Sequence, residues 1–278
     1  MYTRDRRLAY TSGMNELPLG KPTRYPDRYA PDLLFPIPRA DARARLGIGD
    51  RLPFDGADFW TAWELTWLTP SGKPAIAAAE IRVPAASPNI IESKSLKLYL
   101  NSFAMTIPDH DAGPATTIAR DLSECAGADV DVRLVQASAI TPLPGATLDD
   151  QVVGIDTYEV DAALLEIDAD TTEARTWHSS LLRSLCPVTA QPDFGSVIVR
   201  YEGPRIRPES LLRYIVSFRQ HQDFHEACVE RMFSDITERC APERLTVYAR
   251  YQRRGGLDIN PFRSSFETSP PALRAWNQ

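Results

Sequence analysis

Trp60-Thr61-Ala62-Trp63-Glu64-Leu65-Thr66-Trp67-Leu68, then Pro70-Ser71-Gly72-Lys73-Pro74, then Ala75 to Val83 decide the fold class. The period is two on both sides of a break bearing proline and glycine, which predicts two strands joined as a hairpin. Pro84 to Asn89 then leads into a helix whose apolar positions are Leu96, Leu100 and Phe103. Glu92 lies four residues before Leu96 and heads the same, core-directed face. A carboxylate there is costly unless something pairs with it. Gly113-Pro114 opens a second helix with Ile118, Leu122 and Cys125 on one face, and Gly127 ends it. Val130 to Ile140 alternates as a strand, and Pro142-Leu143-Pro144-Gly145 is the best linker in the chain.

The second half repeats the plan. Tyr158 to Ile167 and Gly195 to Gly203 read as strands. Pro208-Glu209 opens a helix with Leu211, Ile215 and Phe218 inward, and a further helix carries Val229, Phe233, Ile236 and Cys240. Leu245 to Tyr251 is again a strand. Strands, two helices, then strands, twice over, describe a duplicated α+β unit. The predicted organisation is an extended, proline-rich N-terminal arm over 1–50, a first half over 51–145 and a second half over 146–278. Leu17-Pro18-Leu19-Gly20-Lys21-Pro22 and Phe35-Pro36-Ile37-Pro38 give the arm its extended character.

Composition narrows the function. At 278 residues and 43% hydrophobic, the chain can bury one large or two modest cores. Lys+Arg of 31 against Asp+Glu of 37 gives −6, which argues against a broad basic face for a polynucleotide backbone. Four cysteines without a CxxC pair and four histidines without HxxxH argue against a metal site. No apolar run reaches membrane-spanning length and the N-terminus has no charged-then-apolar leader, so the expectation is a cytoplasmic protein with reduced thiols. No G-x-G-x-x-G follows a strand, so any nicotinamide cofactor must bind outside a Rossmann site.

The chemistry concentrates in Ser184-Leu185-Cys186-Pro187-Val188-Thr189-Ala190-Gln191-Pro192-Asp193-Phe194-Gly195-Ser196. Prolines stiffen this predicted loop and hold Cys186 and Asp193 in set positions. A thiol beside a carboxyl suits nucleophilic attack followed by proton delivery. A buried structural cysteine and a turn-forming aspartate explain the same residues without catalysis. His225 falls fourteen residues after Leu211. On an unbroken helix it points inward as a structural histidine. Lys94, Lys97 and Asn101 read as a solvated stripe.

Three motifs carry a resemblance. Cys186-Pro187-Val188-Thr189-Ala190-Gln191-Pro192-Asp193-Phe194-Gly195 is similar to the catalytic segment of the 7-cyano-7-deazaguanine reductases, the nitrile reductases of the queuosine pathway. Glu92-Ser93-Lys94-Ser95-Leu96-Lys97-Leu98-Tyr99 resembles that family's cofactor and substrate signature, and Arg253-Arg254-Gly255-Gly256-Leu257-Asp258-Ile259-Asn260-Pro261 its C-terminal segment. The resemblance implies a tandem tunnelling fold, antiparallel strands backed by paired helices, and a homodimer. It implies Cys186 as nucleophile, forming a covalent thioimide, and Asp193 as proton carrier. It assigns substrate binding to Ile90, Ile91, Glu92, His225 and Glu226, and NADPH, two per turnover, to Ser93, Lys94, Arg254 and Gly255. The implied substrate is a free nucleobase, with no nucleic acid and no membrane as partner. The rival readings are a cysteine-dependent nitrile hydrolase or amidohydrolase and a catalytically silent purine-binding protein.

Overall fold

The computed structural model describes residue 26 and residues 28–109, 113–136 and 139–278. Along the chain these form β1 (Pro36–Pro38), α1 (Ala40–Arg45), β2 (Asp55–Leu68), β3 (Pro74–Pro84), β4 (Asn89–Ile91), α2 (Ser93–Asn101), α3 (Ala115–Ala126), β5 (Asp131–Val135) and β6 (Ala146–Thr147). The second half continues with β7 (Ile167–Leu185), β8 (Pro192–Ile206), α4 (Pro208–Ser217), α5 (His225–Cys240), β9 (Arg244–Tyr251) and β10 (Leu257–Ser264).

The hairpin predicted at 60–83 is β2 and β3, which pair antiparallel from Ala57↔Pro84 to Leu68↔Pro74. It belongs to one eight-stranded sheet in the order β5-β3-β2-β10-β9-β8-β7-β6, antiparallel except where β6 meets β7. The two halves fuse where β10 pairs with β2, from Leu257↔Ala62 to Ser264↔Asp55. Gly56 permits the close approach at this seam. Its φ is +145°, and a Cβ there would overlap the carbonyl oxygen of Phe262.

Helices cover the sheet in two pairs. Leu96, Tyr99, Phe103, Ile118 and Leu122 of α2, α3 and the turn between them pack on Trp60, Ile81 and Val83. Leu211, Ile215, Phe218, Val229, Phe233 and Ile236 of α4, α5 and their connection pack on Val197, Val199 and Val247. Each apolar spacing of three or four thus finds a strand surface to bury, the driving force for docking an amphipathic helix. The fold is α+β and follows the tandem tunnelling plan.

Several expectations need correction. The loop predicted over 184–196 is shorter: β7 reaches Leu185 and β8 starts at Pro192, leaving a tight hairpin connection. Proline at the first position of a strand loses no needed ladder donor, which is why Pro192 does not break β8. The strand predicted at Tyr158 to Ile167 begins only at Ile167, after a 3-10 turn at Ala162–Leu164. β5 ends at Val135, short of Ile140. The helix carrying Leu211 does not continue to His225; α4 ends at Ser217, a 3-10 turn spans Phe218–Gln220, and α5 starts at His225 itself. Within the arm, Phe35-Pro36-Ile37-Pro38 supplies β1, which pairs with β4 at Pro36↔Ile91, and the helix α1 follows. Leu17 to Pro22 lies outside the described residues.

Arm, first half and second half meet in a buried cluster of charges. Arg263, fully buried on β10, contacts Asp58 Oδ1 at 2.8 Å and Glu230 Oε1 at 2.9 Å. Arg39 from the arm reaches Asp58 Oδ2 at 2.6 Å, and Arg43 of α1 reaches Glu230 Oε1 at 2.8 Å. Burial pushes both carboxyls up, but the guanidiniums, Arg263 foremost, outweigh it and hold both below the usual carboxylate range. Removing one partner of such a buried group leaves uncompensated charge, at a cost of about 3–5 kcal/mol. Arg263→Met is therefore expected to lower unfolding stability by about 3 kcal/mol or more, read from the urea midpoint at unchanged m. A loss below about 1 kcal/mol shows the cluster to be replaceable.

Candidate active site

Most of the residues singled out by sequence converge on an open cavity at the seam of the two halves, with about 80 Å³ of room for water. β2 contributes Trp60, β4 contributes Ile90 and Ile91, and α2 contributes Ser93 and Lys97. The second half contributes Cys186, Asp193, His225, Glu226 and Arg254. A single chain supplies both sides.

The β7–β8 connection is what presents Cys186. Its N–H donates to the Gln191 carbonyl at 2.9 Å, and the Ala190 N–H donates back to the Cys186 carbonyl at 3.0 Å, closing the turn with Ala190 at φ 56°. Leu185 N–H donates to His221 O at 2.8 Å and Asp223 N–H to Leu185 O at 3.2 Å, tying the thiol loop to the segment just before α5. This stitch is why residues almost forty positions apart share one wall.

Asp193 is the second residue of β8, and strand alternation turns it inward while Phe194 faces out. Its Oδ2 lies 3.3 Å from His225 Nε2, and its Oδ1 accepts a hydrogen bond from Arg254. Burial raises the carboxyl, but His225 first and then Arg254 outweigh that and hold it ionised below its ordinary value. His225 is itself fixed by stacking on Tyr251, ring centroids 3.7 Å apart and 5° from parallel. Arg254 also donates to the Gln191 side chain, so one guanidinium braces the thiol loop and the carboxylate together.

Glu226 behaves differently. It sits in the first turn of α5, buried, with no ion pair among the described residues. Burial, then the charge of Asp58, pushes its carboxyl up to about 8 despite the opposing pull of Arg39 and Arg263. A buried carboxyl with no ion pair, beside an open cavity, has acceptor capacity left for donors from a ligand.

Glu92 is placed otherwise than as the head of a core-directed helical face. It is the N-cap of α2, accepting from Lys94 N–H at 2.9 Å and Ser95 N–H at 2.7 Å. It is buried and not among the residues lining the cavity. The cap also occupies amides that an anion could otherwise use. An adjoining cavity, sharing Lys97 and Leu257 with the first, is lined by Lys94, Asn101, Gly255 and Gly256. Lys97, expected on a solvated stripe, instead borders both cavities. Burial and then Arg254 lower its pKa. Trp60, Lys97 and Tyr251 carried no sequence signal of their own; Lys97 does fall one helical turn after Ser93, the one hint available.

Two family models match the chain: "Nitrile reductase, 7-cyano-7-deazaguanine-reductase N-term" over residues 25–134 and "QueF-like protein" over 192–270. A protein of Azoarcus sp. (strain BH72), an NADPH-dependent 7-cyano-7-deazaguanine reductase, is 55% identical over 259 residues, 91% of this chain and 92% of the relative. The chain belongs to that reductase family. A Chromohalobacter salexigens relative with the same name is 51% identical over 276 residues, covering 98% of this chain and 97% of its own. One from Bordetella pertussis is 50% identical over 264 residues, 93% and 97%. The first match contains the α2–α3 helix pair and the second the α4–α5 pair, with β6 and β7 outside both.

The thiols of this reductase-family chain separate cleanly. Burial pushes Cys125 and Cys240 up to about 11 and Cys228 well above its ordinary value, whereas Cys186 is partly exposed in the cavity. The thiolate is the reactive form. Brief iodoacetamide treatment at neutral pH is expected to alkylate Cys186 first, by peptide mapping. Equal labelling of Cys125 contradicts this order.

Proposed function

We propose that this chain reduces the nitrile of 7-cyano-7-deazaguanine to the aminomethyl group, with NADPH as reductant, as the names of its relatives describe for them. The observation that carries the reading is one cavity holding a thiol, an ionised carboxylate and a buried, unpaired carboxylate. Ionised Glu226 can accept the two adjacent N–H donors of a guanine-like base, with Ile90 and Ile91 as apolar walls and His225 beside it. Glu92 serves this site by fixing the end of α2 next to Ile91.

Cys186 then faces the nitrile carbon. Its sulfur bonds to that carbon as one nitrile π bond breaks, and the thiol proton passes through Asp193 to the nitrogen, giving a thioimide. Asp193 starts as acceptor because His225 and Arg254 hold it ionised, and becomes donor once protonated. The chemistry along the two joined cavities fits a phosphorylated dinucleotide: Lys94 and Gly255 line the adjoining one, Ser93 and Arg254 the main one, and Lys97 both, so that cations and a glycine open to close backbone approach lie along one path. NADPH bound there supplies hydride, two equivalents completing the four-electron reduction. Place and partners follow the family resemblance: a cytoplasmic homodimer acting on the free base in queuosine biosynthesis. The net charge of −6 supports the absence of a polynucleotide partner.

Three measurements test this. Each mole of nitrile is expected to consume two of NADPH, followed by loss of reduced-nicotinamide absorbance; turnover without NADPH points to a hydrolase. Without NADPH, intact-mass spectrometry should show one nitrile adduct per chain, absent in Cys186→Ala. Asp193→Asn is expected to bind substrate but lose at least ~10²-fold in turnover, the range for a general acid. Near-normal turnover demotes Asp193 to a structural role.

A further inference from the structure

Behind Glu226 lies a second, smaller chamber, bordered by Arg39, Glu226, Glu230, Ile90 and Phe224. Ile90, Phe224 and Glu226 also border the main cavity, so Glu226 stands between the two. Arg39 is buried, at 4% exposure, and two of its three nitrogens have hydrogen-bond partners. Nε donates to Ser87 Oγ at 3.2 Å and Nη2 to Asp58 Oδ2 at 2.6 Å, while Nη1 has no hydrogen-bond partner. A buried guanidinium N–H left unsatisfied costs free energy, and native proteins keep few of them. Of the two carboxylates bordering the same chamber, Glu230 is held by Arg43 and Arg263, and Glu226 has no ion pair among the described residues.

We propose that Arg39, from the N-terminal arm, is a positioning residue for base recognition: across this chamber its free Nη1–H holds Glu226 ionised and oriented when the base enters. The chamber has room for about one water, which can bridge the two groups. This rests on Glu226 being the base-binding carboxylate. It gives the arm a part in substrate affinity.

The charges facing Glu226 set the signs. Arg39 and Arg263 favour its ionised form and Asp58 on β2 disfavours it; Glu230, one helical turn on, borders the same small chamber and is itself paired with Arg43 and Arg263. Across the main cavity stand Lys97, Cys186, Asp193, Asp223, His225 and Arg254. Only the ionised carboxylate accepts both N–H donors, so nitrile affinity should rise with pH through the titration of Glu226. Removing the positive charge of Arg39 raises that midpoint. Removing the negative charge of Asp58 lowers it, although both changes break the same ion pair.

Calorimetric titration of 7-cyano-7-deazaguanine from pH 6 to 9.5, on a Cys186→Ala background, is the test. Arg39→Gln is expected to shift the midpoint up by about one unit and to weaken binding roughly tenfold at neutral pH. Asp58→Asn is expected to shift it down, and Arg39→Lys to stay near the parent. Opposite shifts support the proposal, since loosened packing would weaken both variants alike at every pH. An unmoved midpoint in Asp58→Asn or in folded Arg39→Gln overturns it, and if Arg39→Gln does not fold, the other two variants decide. Glu226→Gln separates the layers: parent-like binding there refutes Glu226 as the base-binding group. Lost binding there with unmoved midpoints elsewhere refutes only the role of Arg39.

Discussion

Arg263 sits at zero exposure in the middle of the protein, and its ion pairs with Asp58 and Glu230 are what the remaining architecture must accommodate. Such a charge is tolerable in the interior only with partners on several sides. Those partners come from β2 and α5, one from each half, while Arg39 and Arg43 bring in the arm. Hydrophobic area alone would let two helix-backed sheets meet in many ways. Directional, charge-assisted bonds admit few, and they fix where α5 begins relative to β2. Glu226, one helical turn before Glu230 on α5, lines the main cavity.

The site divides its two carboxylates by environment. Asp193 has His225 and Arg254 against it and stays ionised; Glu226 has burial and Asp58 against it and is pushed up to about 8. The first suits a group that takes a proton from a thiol. The second suits a group whose charge is completed by the ligand itself. Arg254 connects two parts of the site, since the same side chain braces the thiol hairpin, holds Asp193 and borders the main cavity.

The sequence was easiest to read where a short-range rule sufficed. The strands around 60–83, the helix holding Leu96 and Leu100, and the close of α3 at Gly127 all follow from period or from a single left-handed position. It misled where periodicity was asked to cross a break. Leu211, Phe218 and His225 fit one helical face on paper. The chain instead turns at Phe218–Gln220, because starting a new helix at His225 lets α5 pack its own apolar face on β9 and β10. Lys97 looked solvent-bound for the related reason that spacing names a face but not what covers it.

By itself the sequence determined the duplicated α+β plan, the hairpin around 60–83, and the short segment in which a thiol and a carboxyl lie close together. Those follow from local dihedral preference, side-chain period and residue type, which act over a few positions. Only the tertiary structure decided that Glu92 caps a helix, that Glu226 stands unpaired at a cavity wall, and that Arg39 lies behind it. Burial, pairing and the resulting shifts in charge belong to groups brought together across Arg39, Asp58, Glu226 and Arg263, more than two hundred positions apart in the chain. No period in the sequence encodes that distance.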